Sequence, residues 1–337
     1  MKFRPFFLLC TLSIALLYSC QQENIKPVKF AGETQGTYYA ITYYSPDGKN
    51  YQVQIDSLLK AFDQSVSMWV PNSIISRINR DESGVEPDEI FIHLFNRSKQ
   101  VFEETGGAFD PTVGPLVNAW GFGFKDRMKV NQHVVDSLFP LIGFQKVTIQ
   151  NSFIEKAPGV QFDFNAIAQG YSVDLIGKFL EKKGVKNYLI DIGGEVLGRG
   201  QKPGNEFWKV GIEKPSDNAG YGEGLNAIVE LKDKALATSG NYRKFYEENG
   251  IRYSHTIDPK TGYPVQHTLL SVSVLAVDCT TADAFATAFM VLGIEKSKEF
   301  LQNRKDLEAY FIFHDKNGNL ETYYTNGFNE IVTEEMD

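Results

Sequence analysis

Cysteine is scarce in this 337-residue chain: Cys10, Cys20 and Cys279 are all it has. Three thiols so placed supply no disulfide framework and no paired C-x-x-C of the kind that holds zinc. Also missing are a G-x-G-x-x-G opening a helix, a Walker A sequence and an H-E-x-x-H pair, so the common dinucleotide, P-loop and zinc-hydrolase readings lack support. Positive charge is in deficit. The chain carries 34 Lys and Arg against 42 Asp and Glu, net −8, with no Lys/Arg cluster. Nucleic acid is therefore excluded as a partner, because its recognition relies on a basic surface that neutralises phosphates. Internal repeats and low-complexity blocks are absent too.

What is present begins at the N-terminus, where Lys2 and Arg4 precede an apolar run from Phe6 to Leu17 and then Tyr18-Ser19-Cys20. The run is too short for a span that needs about 20 residues, and its order is that of a secretory signal. Ser19-Cys20 has the form of a bacterial lipobox, so residues 1–19 read as a lipoprotein signal peptide and Cys20 as a lipidated residue. A plain signal peptide cut at a small residue is the alternative. Cleavage would remove two cations and no acid, making the mature chain more acidic still, and would leave Cys279 alone. Residues 20–29 are polar and aperiodic, which suits a tether; residues 30–337 are ample for one domain, with room for two lobes.

Along that domain the β-rich stretch 37–44 is followed by the turn Ser45-Pro46-Asp47-Gly48, which predicts a hairpin with a second strand near Tyr51. Helical spacing appears at Ile55, Leu58, Leu59 and Phe62 and over 89–105. Further strands are predicted at 146–150, 186–191, 207–213, 227–232 and 269–277, and helices at 166–183, 281–291 and 295–303. Strands and helices mix without βαβ alternation. The fold class is therefore α+β, with a mixed, largely antiparallel sheet flanked by helices.

Two segments carry chemistry. In TTADAFATAFMVLG (280–293) Asp283 and Thr287 stand four residues apart, so a carboxylate and a hydroxyl share one helix face near its start. That pair suits a hard cation such as Mg²⁺, although on pattern alone a capped amphipathic helix with a surface Asp is the favoured explanation. In segment 235–267, Thr238-Ser239-Gly240-Asn241 offers hydroxyls beside a glycine, and His255-Thr256-Ile257-Asp258-Pro259 sets an imidazole near a carboxylate. Histidine is the side chain best poised to take a proton near neutral pH; a buried structural His is the alternative.

Nine stretches in order give the resemblance: QGTYY (35–39), PNSIISRIN (71–79), GGAFDPTVGPLVNAWGFG (106–123), DFNAIAQGYSVD (163–174), YLIDIGGE (188–195), WKVGIEKP (208–215), ATSGNYRKFYE (237–247), YSHTIDPKTGYPV (253–265) and TTADAFATAF (280–289). Together they resemble the ApbE family, the FAD:protein FMN transferases, over nearly the whole mature chain. The resemblance implies metal ligands at Asp283 and Thr287, with main-chain oxygens at Ala166 and Ala286. It implies FAD contacts at Gln35, Trp69, Ala108, Phe109, Asp110, Asp163, Gln169 and Ile257. Gln35 stands where relatives often carry Met, and Gln169 where many carry Lys or Glu.

The implied reaction is Mg²⁺-dependent transfer of FMN from FAD to a threonine hydroxyl of an acceptor protein, releasing AMP. His255 is the candidate base, with Asp258 as the alternative or as its orienting partner. Two other readings stand beside it: a Mg²⁺-dependent FAD pyrophosphatase, and a non-catalytic FAD-binding lipoprotein. The family implies an acceptor among membrane redox subunits, and Cys20 implies an exported protein anchored by lipid to a bacterial membrane and facing the periplasm.

Overall fold

The first hairpin takes its shape from two residues. β1 (Val28–Thr34) and β2 (Thr37–Tyr44) pair antiparallel around Gln35-Gly36, both at positive φ, 52° and 74°. This is the two-residue turn geometry that matches the twist of paired strands. Residues 26–123, 127–215, 224–241, 245–248 and 251–336 are those described in this computed structural model; Cys20 and the signal-like segment lie outside them. β1 starts at Val28, two residues inside the stretch read as tether.

The partner of β2 thus lies upstream, and the strand predicted near Tyr51 does not form. After the Ser45–Gly48 turn the chain enters α1 (Gln52–Val66), which buries Ile55, Leu59 and Phe62. The Tyr43 hydroxyl explains the early turn: it accepts from the Tyr51 amide at 2.9 Å and donates to the Lys49 carbonyl at 2.8 Å. A strand there would need that amide for a ladder.

Helices α2 (Ile74–Asn79), α3 (Glu89–Glu104), α4 (Gly114–Ala119) and α5 (Gln132–Leu138) follow, then a small hairpin of β3 (Thr148–Gln150) and β4 (Phe153–Glu155). Asp88 caps α3 by accepting from Phe91 N–H at 2.9 Å. The remainder runs through α6 (Ala168–Lys182), β5 (Asn187–Ile192), β6 (Glu195–Arg199), β7 (Trp208–Glu213), β8 (Leu225–Leu231), β9 (Ala235–Gly240), β10 (Phe245–Glu248), β11 (Ile251–Ser254), β12 (Leu269–Ala276), α7 (Cys279–Leu301), β13 (Glu308–His314), β14 (Leu320–Tyr324), α8 (Asn326–Asn329) and β15 (Val332–Glu335).

The main sheet has eight strands in the order β1-β2-β5-β6-β9-β12-β13-β14. The α+β class holds, and every pairing among the described strands is antiparallel rather than mixed. Both faces are covered, so the central strands are apolar on both sides. Val272, Val274, Ala309 and Phe311 face the helices with Phe285 and Phe289 of α7. Leu236, Leu275, Tyr310 and Ile312 face a second sheet of order β15-β8-β7, where Trp208, Val229 and Leu231 meet them.

Helix α7 is apolar nearly all round because it is buried from Cys279 through Ala286 and again at Ala288, Phe289 and Met290. Its two predicted halves, 281–291 and 295–303, meet at Gly293, whose φ of 74° and ψ of 169° break the helix. Only glycine takes that conformation without strain.

Candidate active site

The site grows from the crossing of α6 and α7. At Gly170 the two helices touch backbone to backbone: a Cβ there would stand 2.3 Å from the Cys279 carbonyl oxygen and 2.8 Å from Asp283 Cβ. That closeness lets the Gly170 N–H donate to Asp283 Oδ2 at 2.9 Å. Two aspartates satisfy the amides that open α7. Asp278 accepts from Thr281 N–H at 2.8 Å, while Asp174 accepts from Cys279 N–H at 2.9 Å, Thr280 N–H at 2.8 Å and the Thr280 hydroxyl. The start of α7 is thereby fixed, and Asp283 with it.

Asp283 is 5% exposed. Burial pushes its carboxyl up to about 7, against the Gly170 hydrogen bond, and the nearby Asp174 charge adds to the rise. Asp174 itself is pushed up to about 6 by burial, which outweighs its three donors. One turn along α7, the Thr287 hydroxyl lies 3.2 Å from that of Ser239 at the end of β9. Asp283 and Thr287 are thus on one face, as their spacing predicted, with Ser239 joined to them. Ala286 is fully buried in the core, and Ala166 sits in the turn ahead of α6, half-buried against the same core.

A third wall comes from the sheet. Glu195 opens β6 just after the Gly193-Gly194 turn, both glycines at positive φ. It is 8% exposed, and its Oε2 has no hydrogen-bond partner. Burial raises its carboxyl well above the usual range, and the charge of Asp283 raises it further. A Cβ on Gly193 would collide with Gln169 Nε2 at 2.3 Å and with Thr37; Gln169 itself donates to the Ile192 carbonyl at 3.1 Å. Gln35, in the adjoining hairpin turn, has a buried Nε2 without a partner. Gln35, Gln169, Glu195, Gly170 and Asp283 therefore form one neighbourhood. Neither Glu195 nor Gly170 is among the residues singled out from the sequence, although an acid directly after a Gly-Gly turn and in phase with the inward-facing Leu197 is a readable signal.

Of the remaining candidates, His255, Ile257 and Asp258 lie on a segment that packs in a separate cluster around Trp120. Segment 253–265 packs on 120–122: the Trp120 ring stacks on Tyr253 with centroids 5.5 Å apart, Trp120 Nε1 donates to the Gly262 carbonyl at 2.8 Å, and the His255 ring meets Phe122 edge-on at 6.4 Å. Ile257 is buried among Leu116, Trp120 and Ile142. Asp258 holds its own turn, accepting from Lys260 N–H at 2.9 Å while its amide donates to the Tyr263 carbonyl at 2.9 Å.

Asp110 faces inward, accepting from Thr112 N–H and Oγ1 at 2.8 and 2.6 Å and from Phe144 N–H at 3.3 Å. Ala108 and Phe109 are buried, Phe109 in the main core. Any ligand contact from 108–110 would thus be made through the main chain. Asp163 borders a cavity of about 190 Å³ lined by Met68, Asn79, Arg80, Gly114 and Asn118. Loss of solvent raises its carboxyl to about 6, opposed by the Asn165 amide it accepts from at 2.8 Å. Trp69, 70% exposed, follows cavity-lining Met68 and offers a large aromatic surface at the molecular edge.

A buried carboxylate thus lies close to two hydroxyls, a glycine turn and a second buried acid. The ApbE family pattern matches residues 35–311, and the chain belongs to that family. A FAD:protein FMN transferase of Vibrio cholerae is 36% identical over 300 residues, covering 86% of this chain and 88% of that protein. The structure of flavin transferase ApbE from Vibrio cholerae superposes with a TM-score of 0.81 at 32% identity, covering 91% of this chain and 99% of that one. The apo flavinyl transferase ApbE of Pseudomonas stutzeri gives 0.82 at 33% identity, with 92% and 98% covered.

Proposed function

We propose that this chain transfers FMN from FAD to an acceptor protein, with Mg²⁺ at Asp283 and Thr287 and a threonine hydroxyl as the acceptor group. The observation that carries the cation part is Asp283. It is deeply buried, with one oxygen oriented by the Gly170 amide and the Thr287–Ser239 hydroxyl pair one turn away. Among the described residues no group of three or more His, Cys, Asp or Glu is poised around a metal. A cation here would draw on carboxylate, hydroxyl and main-chain oxygens, including those of Ala166 and Ala286, which is the donor chemistry Mg²⁺ accepts. When bound, Mg²⁺ supplies charge neutralisation at the pyrophosphate oxygens.

The protein's own residues do the rest. His255 takes the proton of the acceptor hydroxyl as its oxygen bonds to the FMN-side phosphorus. The bond from that phosphorus to the bridging oxygen breaks, and AMP leaves with the oxygen. Gln35, Gln169, Asp163 and the main chain of 108–110 position FAD, and Trp69 offers a ring for stacking.

Mature protein incubated with FAD, Mg²⁺ and a threonine-bearing acceptor domain should give AMP and a covalently fluorescent acceptor in equal amounts. AMP alone would identify a pyrophosphatase. Neither product, with FAD still bound, would leave a binding protein.

The same reading makes Cys20 the lipid-bearing residue of an exported protein facing the periplasm, its acceptor a membrane redox subunit. The charge-poor run before Ser19-Cys20 supports it. Among the described residues no helix is long and apolar enough to cross a membrane. Cys20→Ala should move the protein from the detergent phase to the aqueous phase in a phase-partition assay; unchanged partition would remove the anchor.

A further inference from the structure

Glu195 is a charged residue in an unusual position. Acids are rarely buried to this degree without a partner, yet it is 8% exposed and its Oε2 meets no donor. Strand geometry fixes where the free oxygen points. Residues two apart share a face, and Leu197 packs with Ile176, Leu180 and Cys279 of α6 and α7, while Val196 between them faces the second sheet. Glu195 therefore points into the helix layer, where Asp283 is near enough for its charge to bear on it.

Two acids buried together, one with an oxygen lacking any donor, are costly unless a cation or its waters complete them. The Gly193-Gly194 turn sets Glu195 at the start of β6, and Asp191 holds that turn by accepting from Gly194 N–H at 3.0 Å. Structural packing alone gives no reason for an acid here, since a leucine of similar size would fill the space without the desolvation penalty.

We propose that Glu195 is a positioning residue of the cation site: its free oxygen accepts a hydrogen bond from a water held by the cation that Asp283 ligates. Mg²⁺ characteristically keeps several of its waters, and groups that orient a metal's surroundings typically change its affinity by about 10- to 100-fold when removed. The proposal rests on the cation reading of Asp283 above. In the cation-free protein burial favours the neutral form of both carboxyls, so the uncharged amide of Glu195→Gln costs the fold little; in the loaded protein the same change loosens the cation.

The test compares Glu195→Gln, Asp283→Asn and the parent protein, with Mn²⁺ affinity read by electron paramagnetic resonance and thermal midpoint read with and without Mg²⁺. Glu195→Gln should bind Mn²⁺ about 10- to 100-fold more weakly, with a cation-free midpoint equal to or above the parent's and a smaller upward shift on adding Mg²⁺. Affinity within twofold of the parent, while Asp283→Asn loses binding, would overturn the Glu195 role alone. A lowered cation-free midpoint accompanying weaker binding would make Glu195 structural and also overturn it. Undiminished Mn²⁺ binding by Asp283→Asn would overturn the cation reading and this proposal together.

Discussion

The Gly170 amide donates to Asp283 Oδ2 at 2.9 Å, and the same glycine lets α6 rest directly on the opening turn of α7. One residue therefore sets both the helix crossing and the direction of the buried carboxylate. Gly170→Ala would place a Cβ 2.3 Å from the Cys279 carbonyl oxygen, and backbone rather than a flexible side chain would have to move. We expect a loss of about 1–3 kcal/mol in stability, the usual range for overpacking, together with weaker Mg²⁺ binding. Urea unfolding and a Mg²⁺ titration on the same sample check it; unchanged affinity would separate the crossing from the site.

The carboxyl of Asp283, raised from 3.8 to about 7 by burial, ties cation binding to pH. Between these values the folded chain keeps a proton that the unfolded chain has released, so the folded state binds more protons. Stability of the cation-free protein from this group therefore falls as pH rises from about 4 to 7, and levels off above. A cation must displace that proton, so its apparent affinity should drop by up to about tenfold for each unit below pH 7 and be flat above it. Calorimetric titrations from pH 5.5 to 8.5 would show this; an affinity flat across that range would contradict it.

How much of this was legible follows from which signals are local. Asp283 and Thr287 could be placed on one face because helix periodicity is a short-range rule, and α7 obeys it as far as Gly293. The Ser45-Pro46-Asp47-Gly48 turn predicts a downstream partner for β2, yet β2 pairs upstream with β1, and only the Tyr43 hydroxyl on the Tyr51 amide reveals why the chain turns into α1 instead. For Glu195 the Gly-Gly turn and the phase with Leu197 mark an inward-facing acid at the start of β6, but its burial depends on β6 lying under α7, which no window of sequence contains. Asp110 and Asp258 read as ligand or catalytic groups from their motifs. Their carboxylates turn out to be engaged by Thr112 and Phe144 in one case and Lys260 in the other.

That engagement separates the two base candidates. Asp258 already accepts from the Lys260 amide, a bond that asparagine can also make. Asp258→Asn should keep flavin transfer within about threefold, whereas His255→Ala should lose about 10²- to 10⁴-fold in kcat, the range for a general base. Both variants should bind Mg²⁺ as the parent does. A large loss in Asp258→Asn with His255→Ala active would reverse the assignment; the rate of AMP release at saturating FAD reports it.

Asp174 is a buried acid with a structural task. Its two oxygens take the amides of Cys279 and Thr280 and the Thr280 hydroxyl, and Asp278 takes the next amide, so three successive donors at the start of α7 depend on two aspartates. Such donors have no partner within the helix. Asp174→Asn would turn an NH₂ toward an N–H in a site closed to water, and leaving one buried donor unmet costs about 1–3 kcal/mol. Because α7 carries Asp283 one turn further on, the damage should spread: unfolding in urea at lower concentration with an unchanged slope, and weaker Mg²⁺ binding at pH 8. An exposed cap of this kind would cost under about 1 kcal/mol and leave the cation untouched. A stability change below about 0.5 kcal/mol would show that Asp278 alone holds the helix start.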